Sequence, residues 1–362
     1  MADVSLSGVI LKVNTGAFKR EKPFDIQLYG KTLLEWVALS LGGAPFICAD
    51  YDGETEIPLA VKPYLGDSEY TAVLFSDTPL LQKRTVLEAL EHTANNGLNV
   101  CRMTRGYIFK TDFLKTVDRV LTTKRQYFSE EEDFLTATDF ERLAFIGDVM
   151  RQRILSYHMR NGVQITDPSS VLIEGDAVIG AGTVISAGNR IKGRTVIGEN
   201  VILNENNNIS DCVIANGATL TSSTLIKSYV GEKTVVGPYA YIRPECVVGD
   251  GCRIGDFVEL KRSKIGAGCK ISHLAYVGDC ETGDNCNIGC GAVTVNFDGV
   301  QKHKTIMGSG VFVGSNCNLV APITLGDNAF IAAGSTITDG VPSRALAIAR
   351  ARQINKPDWV ED

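Results

Sequence analysis

The sequence predicts two folds in one chain: an α/β, Rossmann-like unit at the N-terminus and a parallel β-helix of hexapeptide repeats behind it. Three observations carry this reading. Aliphatic residues recur every six positions from about residue 171 onward, glycines directly follow many of them, and residues 1 to about 130 instead alternate strand-like with helix-like segments. At 362 residues the chain also exceeds the usual size of one domain.

In the first part, "SGVILKV" and "APFICAD" read as buried strands, and "TAVLFSDTPLL" as a strand running into an acidic turn. "KTLLEWVALSLGG" and "QKRTVLEALEHTANNG" carry the helical period. Such alternation implies a mostly parallel sheet. This unit is placed at residues 1–130, and a helical connector at 131–165, closing at Gly162. The acidic run Glu130 to Asp133 reads as a solvated helix start.

The coil is placed at residues 166–345, with a tail at 346–362. Ile173, Ile179, Ile185, Ile191, Ile197, Leu203 and Ile209 keep the six-residue step; so do Val230 to Leu260, and Val313 to Ile337. Each hexad forms one flat side of a triangular turn, with its aliphatic residue on the axis. Glycine or asparagine is expected at corners needing positive φ; Gly180, Gly198, Gly249 and Gly278 are among the candidates. The period lapses between Ile288 and Val313, where a polar loop carries Asn296, Asp298, Lys302, His303 and Lys304. A solenoid turn contacts only its neighbours, so an extruded loop is free to serve function.

The balance of 36 basic against 42 acidic residues excludes a general nucleic-acid-binding surface and points to small-molecule substrates. No run approaches ~18 apolar residues, and "MADVSLSGVILKV" has no signal-peptide pattern, so a cytoplasmic protein without membrane association is expected. Of the ten cysteines, Cys246, Cys252, Cys269, Cys286 and Cys317 each stand four places after a hexad start, the position of small stacked side chains. No CxxC pair is present, and no metal site is expected.

The stretch from "FVELKRSKIGAGCKISHLAYVGDC" to "GSGVFVGSNCNLVAPITLG", with "GPYAYIRP" before it and "ALAIAR" after it, closely resembles the acetyltransferase half of a bacterial bifunctional family: N-acetylglucosamine-1-phosphate uridyltransferase/glucosamine-1-phosphate acetyltransferase. The likeness covers roughly residues 160 to 359. It implies a left-handed coil, acetyl-CoA as co-substrate and a homotrimer. It also implies roles for individual residues. His273, in "HLAY", falls at the general base. Arg243, Lys261, Tyr276, Asn287, Asn296 and Lys302 fall at sugar-phosphate contacts, with Phe297 beside them. Cys290, Ser315, Ala333 and Arg350 fall at acetyl-CoA contacts. Phe297 departs from the family's tyrosine by one hydroxyl, and Cys290 stands where alanine is usual.

The chemistry agrees with these roles. An amine must be neutral to attack a thioester, so a base titrating near neutrality is needed, and histidine fits. A sugar phosphate needs fixed cations, which Arg243, Lys261 and Lys302 supply. Amides of the glycine-rich stretch Asn287 to Gly291 suit a developing oxyanion, and Glu259 is a candidate to orient the imidazole.

The first part faintly resembles the same family's nucleotidyltransferase half, with its signature broken. Gly16 survives in the phosphate loop, but Phe18 falls at the family's arginine and Phe24 at its lysine. Asp77 of "SDTPLL" falls at one metal ligand, while the second meets "TDFERL" and is lost. The interval from Asp77 to "RGYIFKTDFL" is about thirty residues, too short for the family's uracil- and sugar-recognition segments. Uridylyl transfer is therefore expected to be absent, and a Mg2+ requirement with it. A structural cap and a ligand-binding module both remain open for this unit, with Asp77, Lys83 and Arg84 as a residual site. For the whole chain three readings stand: the glucosamine-1-phosphate acetyltransferase, an acyltransferase with another amino-sugar acceptor, and a non-catalytic sugar-nucleotide or CoA-binding assembly protein.

Overall fold

The computed structural model describes residues 4–14, 18, 22–121, 125–126, 128, 131–357 and 359–360. The chain divides into two compact units, Met1–Arg153 and Ile154–Asp362. Gly16 and Glu130 lie outside the described residues.

The first unit is built on one five-stranded sheet, in the order Phe46–Asp50, Leu6–Lys12, Tyr70–Phe75, Tyr107–Lys110, Val100–Arg102. The first three strands are parallel, and Tyr107–Lys110 alone runs against its neighbours. Successive side chains of strand Leu6–Lys12 point to opposite faces, so Ile10 joins one apolar core while Val9 and Leu11 join another. Helix Leu33–Leu39 starts at a capping box in which Thr32 and Glu35 satisfy each other's backbone amides. Two sequence expectations are corrected here. "APFICAD" is an edge strand with Phe46 and Ile47 half exposed, because only one neighbour pairs with it. Asp133 belongs to no solvated run: it is fully buried, accepting from Gln82 (3.0 Å), Arg153 (2.9 Å) and Thr85.

The second unit is the left-handed β-helix, about ten turns of it. Its strands stack into three parallel sheets of nine, eleven and ten strands, each pairing only with the turn before and the turn after. The hexad aliphatics form the core: Ile185, Leu203, Leu220, Val236, Ile254 and Ile271 follow one another up a single sheet, all with 0% exposure. Each such burial is worth roughly 1.5–3 kcal/mol. The buried cysteines sit at corners and donate Sγ–H bonds to the next turn, Cys252 to Gly266 O at 3.1 Å and Cys317 to Ala332 O at 3.2 Å. Thr234 does the same to Gly249 O at 2.8 Å, so cysteine here takes a hydroxyl's place in the stack. Strand Leu346–Ala347 still pairs with Phe330–Ile331, carrying the coil into the segment expected as tail.

Of the glycines after the aliphatic residues, Gly237 has the expected positive φ (102°), but most serve a different purpose. Gly180, Gly198, Gly249 and Gly278 do not have positive φ. At Gly249 a Cβ would stand 2.8 Å from backbone atoms of Gly266 and Ala267, so a side chain would collide with the neighbouring turn. Positive φ falls two residues later, as at Gly182 (75°) and Asn200 (55°).

Candidate functional site

Strand Lys270–His273 pairs with Arg253–Asp256 on the preceding turn, and the register sets Asp256 opposite His273. The Asp256 carboxylate accepts from His273 Nδ1 at 2.6 Å, and the imidazole is 57% exposed. The bond from His273 holds the Asp256 carboxyl below its ordinary value, with its own backbone amide adding to the effect. An ionised Asp256 fixes the proton of neutral His273 on Nδ1 and leaves Nε2 as a lone-pair acceptor facing outward. Glu259, the residue expected to orient this ring, does not do so. Counting fourteen residues back stops short of a full turn; seventeen residues complete it and arrive at Asp256. Glu259 instead accepts from Arg243 at 2.8 Å, and this bond raises the Arg243 guanidinium above its usual value.

Around the corner from His273, the next flat side carries the cations. Lys261 ends strand Glu259–Lys261, Arg243 follows strand Tyr241–Ile242 in the pairing turn, and Lys302 reaches in from the loop. Lys302 is the like-charged neighbour that, with desolvation, Arg243 and Arg262, lowers the Lys261 pKa. Cations gathered in this way suit an anion.

Tyr276 and Asn296 meet beside them. Asn296 is 7% exposed and donates from Nδ2 to Asp279 at 2.5 Å, with the Tyr276 hydroxyl 3.4 Å away. Asp279 is gripped from its other side by Arg262, at 2.7 and 3.0 Å. Burial pushes the Asp279 carboxyl up, but the bonds from Arg262 and Asn296 outweigh it and hold the group below its ordinary value. Gly278 lies under this contact: a Cβ there would stand 2.4 Å from the Tyr276 hydroxyl and 2.8 Å from Asn296 Nδ2. Phe297 is 53% exposed on the loop, where its backbone bridges to Lys302.

The remaining candidates lie on turns above His273. Ile288, Val313 and Ile331 pair in register, which puts Cys290, Ser315 and Ala333, each two residues further on, in one exposed file. Bonds from Asn316 N to Cys290 O and from Gly334 N to Ser315 O, both 2.8 Å, keep the file aligned. Arg350 lies beside its upper end, with Cδ 3.9 Å from where a Gly334 Cβ would stand. Asn287 is on the same sheet, in register with Lys270 and Phe312. Within the stretch expected to stabilise an oxyanion, the amides of Asn287, Gly289 and Gly291 are already spent on Val311, Val313 and Leu274 carbonyls. The Cys290 amide donates to no backbone carbonyl among the described residues.

Asp256, Asp279 and Arg262 were missed in the sequence. The signal for Asp256 is the turn length, which shortens to seventeen residues where hexads alone give eighteen.

In the first unit, Asp77 is 1% exposed and does not meet Lys83 or Arg84. Arg105 holds it through two bonds of 2.7 and 2.5 Å, with its guanidinium 4.4 Å from the centre of the Phe75 ring. Arg84 pairs with Glu88 at 3.7 Å, and the Lys83 stem packs over Gly42. A permanent cation thus occupies the carboxylate a metal would need. Phe18 is buried edge-on against Phe140 at 4.9 Å, and Phe24 lies 5.5 Å from the Lys12 ammonium.

Among known families, the one described as the GMPPB C-terminal domain matches residues 225–323. The bifunctional protein GlmU of Geobacillus sp. (strain WCH70) is 40% identical over 333 residues, covering 91% of this chain and 71% of the relative. GlmU of Brevibacillus brevis is 48% identical over 230 residues, covering 64% of this chain and 50% of the relative. The chain thus spans between half and seven-tenths of these two relatives' lengths. A solved UDP-N-acetylglucosamine acyltransferase from Campylobacter jejuni overlaps 51% of this chain and 71% of its own, at 18% identity and a TM-score of 0.32.

Proposed function

The chain belongs to the family of the bifunctional protein GlmU, and from that premise we propose that it transfers the acetyl group of acetyl-CoA to the amine of glucosamine 1-phosphate. The product, N-acetylglucosamine 1-phosphate, is a precursor of UDP-N-acetylglucosamine. The observation that carries the reading is the oriented His273–Asp256 pair, Nδ1 to Oδ1 2.6 Å, standing around one corner from Arg243, Lys261 and Lys302.

The cations hold the phosphate, and Tyr276 and Asn296 border the sugar. His273 Nε2 takes a proton from the attacking amine as nitrogen bonds to the thioester carbonyl carbon. Negative charge then develops on the carbonyl oxygen, and the Cys290 amide, which donates to no backbone carbonyl among the described residues, is the donor this reading assigns to it. Collapse breaks the carbon–sulfur bond, and the imidazolium returns its proton to the departing thiolate. The file Cys290, Ser315, Ala333 and then Arg350 suits an extended donor with an anionic far end.

The first unit, in this reading, has no uridyltransferase activity, which the Arg105–Asp77 pair supports. A homotrimer is supported by the corner residues Tyr239, Phe257 and Leu274. They are 59–61% exposed, have positive φ of 37–59° and follow one another up the coil, with the first two rings stacked at 5.6 Å. Bulky residues pay roughly 1–2 kcal/mol each for that backbone region, and an apolar ridge held there fits burial against a second copy. Sedimentation at the monomer mass would overturn the trimer.

The second reading, a different amino-sugar acceptor, is favoured by one feature, the missing hydroxyl at Phe297. Incubating the protein with acetyl-CoA and either glucosamine 1-phosphate or glucosamine 6-phosphate, then identifying the products by mass spectrometry, separates the two. N-acetylation of the 1-phosphate alone is the expected result.

A further inference from the structure

The loop that carries Lys302 is closed by more than its backbone. Phe297 and Lys302 pair as an antiparallel bridge, and His303 N donates to Asn296 O at 2.8 Å. The turn between them is organised by one side chain. Asp298 accepts from the amides of Val300 (2.8 Å) and Gln301 (2.7 Å) on Oδ1, and its Oδ2 lies 2.7 Å from His303 Nε2. The His303 side chain is only 22% exposed although it stands on an extruded loop. This bond straps one leg of the loop to its tip, directly beside Lys302.

The strap answers an energetic difficulty. The loop is seated beside Lys261, since Asn296 at its base donates to Asp279, whose amide donates to Lys261 O at 2.9 Å, and Lys302, Arg243 and Arg262 all act on the Lys261 ammonium. Like charges about 4 Å apart repel by ~1 kcal/mol in water and more where solvent is partly excluded. A lysine on a loose loop would relax into solvent. Its neighbour Lys304 is turned away onto Glu281 at 2.7 Å, so Lys302 is the loop cation left facing Lys261.

We infer that the Asp298–His303 bond is a positioning device that holds Lys302 against Lys261 and so pre-forms the binding site for the acceptor's phosphate. Neither residue touches substrate. Each acts through Lys302 and, through the His303 amide, through Asn296. Pre-organisation of this kind is spent on binding the phosphorylated substrate, so the effect belongs in acceptor affinity and not in the acyl donor's.

The inference rests on the phosphate-acceptor reading above, and the test keeps the two apart. In the full chain, His303→Leu removes the bond and His303→Gln keeps a side-chain donor near Asp298. The KM for glucosamine 1-phosphate, the KM for acetyl-CoA, kcat and the inhibition constant of inorganic phosphate are measured for each. His303→Leu is expected to raise the acceptor KM and the phosphate inhibition constant together by about tenfold, the loss of one well-placed ionic contact. The acetyl-CoA KM and saturated kcat should stay within about twofold of the parent, and His303→Gln should recover most of the loss. An unchanged acceptor KM overturns the inference. So does an equal rise in the acetyl-CoA KM, which marks general loss of structure. If the parent protein does not turn over glucosamine 1-phosphate, the functional reading fails. Calorimetric titration with inorganic phosphate then decides the strap on its own, with equal affinity in parent and His303→Leu overturning it.

Discussion

Asp256 and His273 face each other across one turn of the coil, the carboxylate oxygen 2.6 Å from imidazole Nδ1, and are joined by a strand register of seventeen residues. The pairing gives an exposed histidine a defined tautomer. Asp256→Asn removes the charge that stabilises the imidazolium and permits the opposite tautomer. It should lower kcat by about tenfold to a hundredfold, the scale seen for partners that orient a functional histidine, with little change in either KM. Glu259→Gln should show the reverse pattern, a raised acceptor KM through Arg243. Equal kcat losses in both variants would contradict the assignment.

Gly278 tests the acceptor side without touching a charge. In Gly278→Ala the new methyl would meet the Tyr276 hydroxyl at 2.4 Å and Asn296 Nδ2 at 2.8 Å, so both side chains must move. The cost of such overpacking is about 1–3 kcal/mol. Titration calorimetry should show weakened glucosamine 1-phosphate binding, with acetyl-CoA binding preserved. Unaltered acceptor binding would remove Tyr276 and Asn296 from the site.

Asp77 is buried and Arg105 is its permanent partner. Arg105→Met should destabilise the first unit by ~3 kcal/mol, because an unpaired carboxylate is left inside. Adding Asp77→Asn should restore part of this. Chemical denaturation of the two variants measures the difference. A single variant as stable as the parent would show that the pair does not neutralise the aspartate.

His158 supplies a pH dependence whose sign is fixed by burial. Its ring is 3% exposed, and desolvation lowers its pKa from the ordinary histidine value. The unfolded chain then binds this proton more readily than the folded one. The stability His158 contributes is full above about pH 6.5 and is lost as pH falls from there towards the lower folded value. Thermal unfolding between pH 8 and pH 5 should show this fall in the parent and a flatter profile in His158→Gln. Identical profiles would contradict it.

Much of this was legible in the amino-acid sequence. The six-residue step from Ile173 to Ile209 names the core file residue by residue, because a coil with one inward aliphatic per side leaves no other period. His273, Lys261 and Lys302 were legible through the resemblance of "HLAY", "ELKR" and the loop to the family's motifs, and the loop also as a polar excursion that such a stack does not need. The partner of His273 was hidden because its turn is a residue short: the steps Leu260 to Ile265 to Ile271 are five and six, so the turn closes on Asp256 after seventeen residues where eighteen would reach Gly255, and Glu259, fourteen residues back, is reached by neither count. The Asp77–Arg105 pair was hidden for another reason. Twenty-eight residues of strand, turn and helix separate the two, and no periodicity connects them. Asp133 was misread because a run of acids resembles a solvated surface until Arg153, Gln82 and Thr85 are seen around it.

The central claim is acetyl transfer with His273 as base. Its most direct test is coenzyme A thiol release from acetyl-CoA, with glucosamine 1-phosphate as acceptor, in the parent protein and in His273→Ala. The account predicts steady acceptor-dependent turnover in the parent and a loss of about a hundredfold or more in the variant, the contribution of a positioned general base. Turnover within a fewfold of the parent in His273→Ala would contradict it.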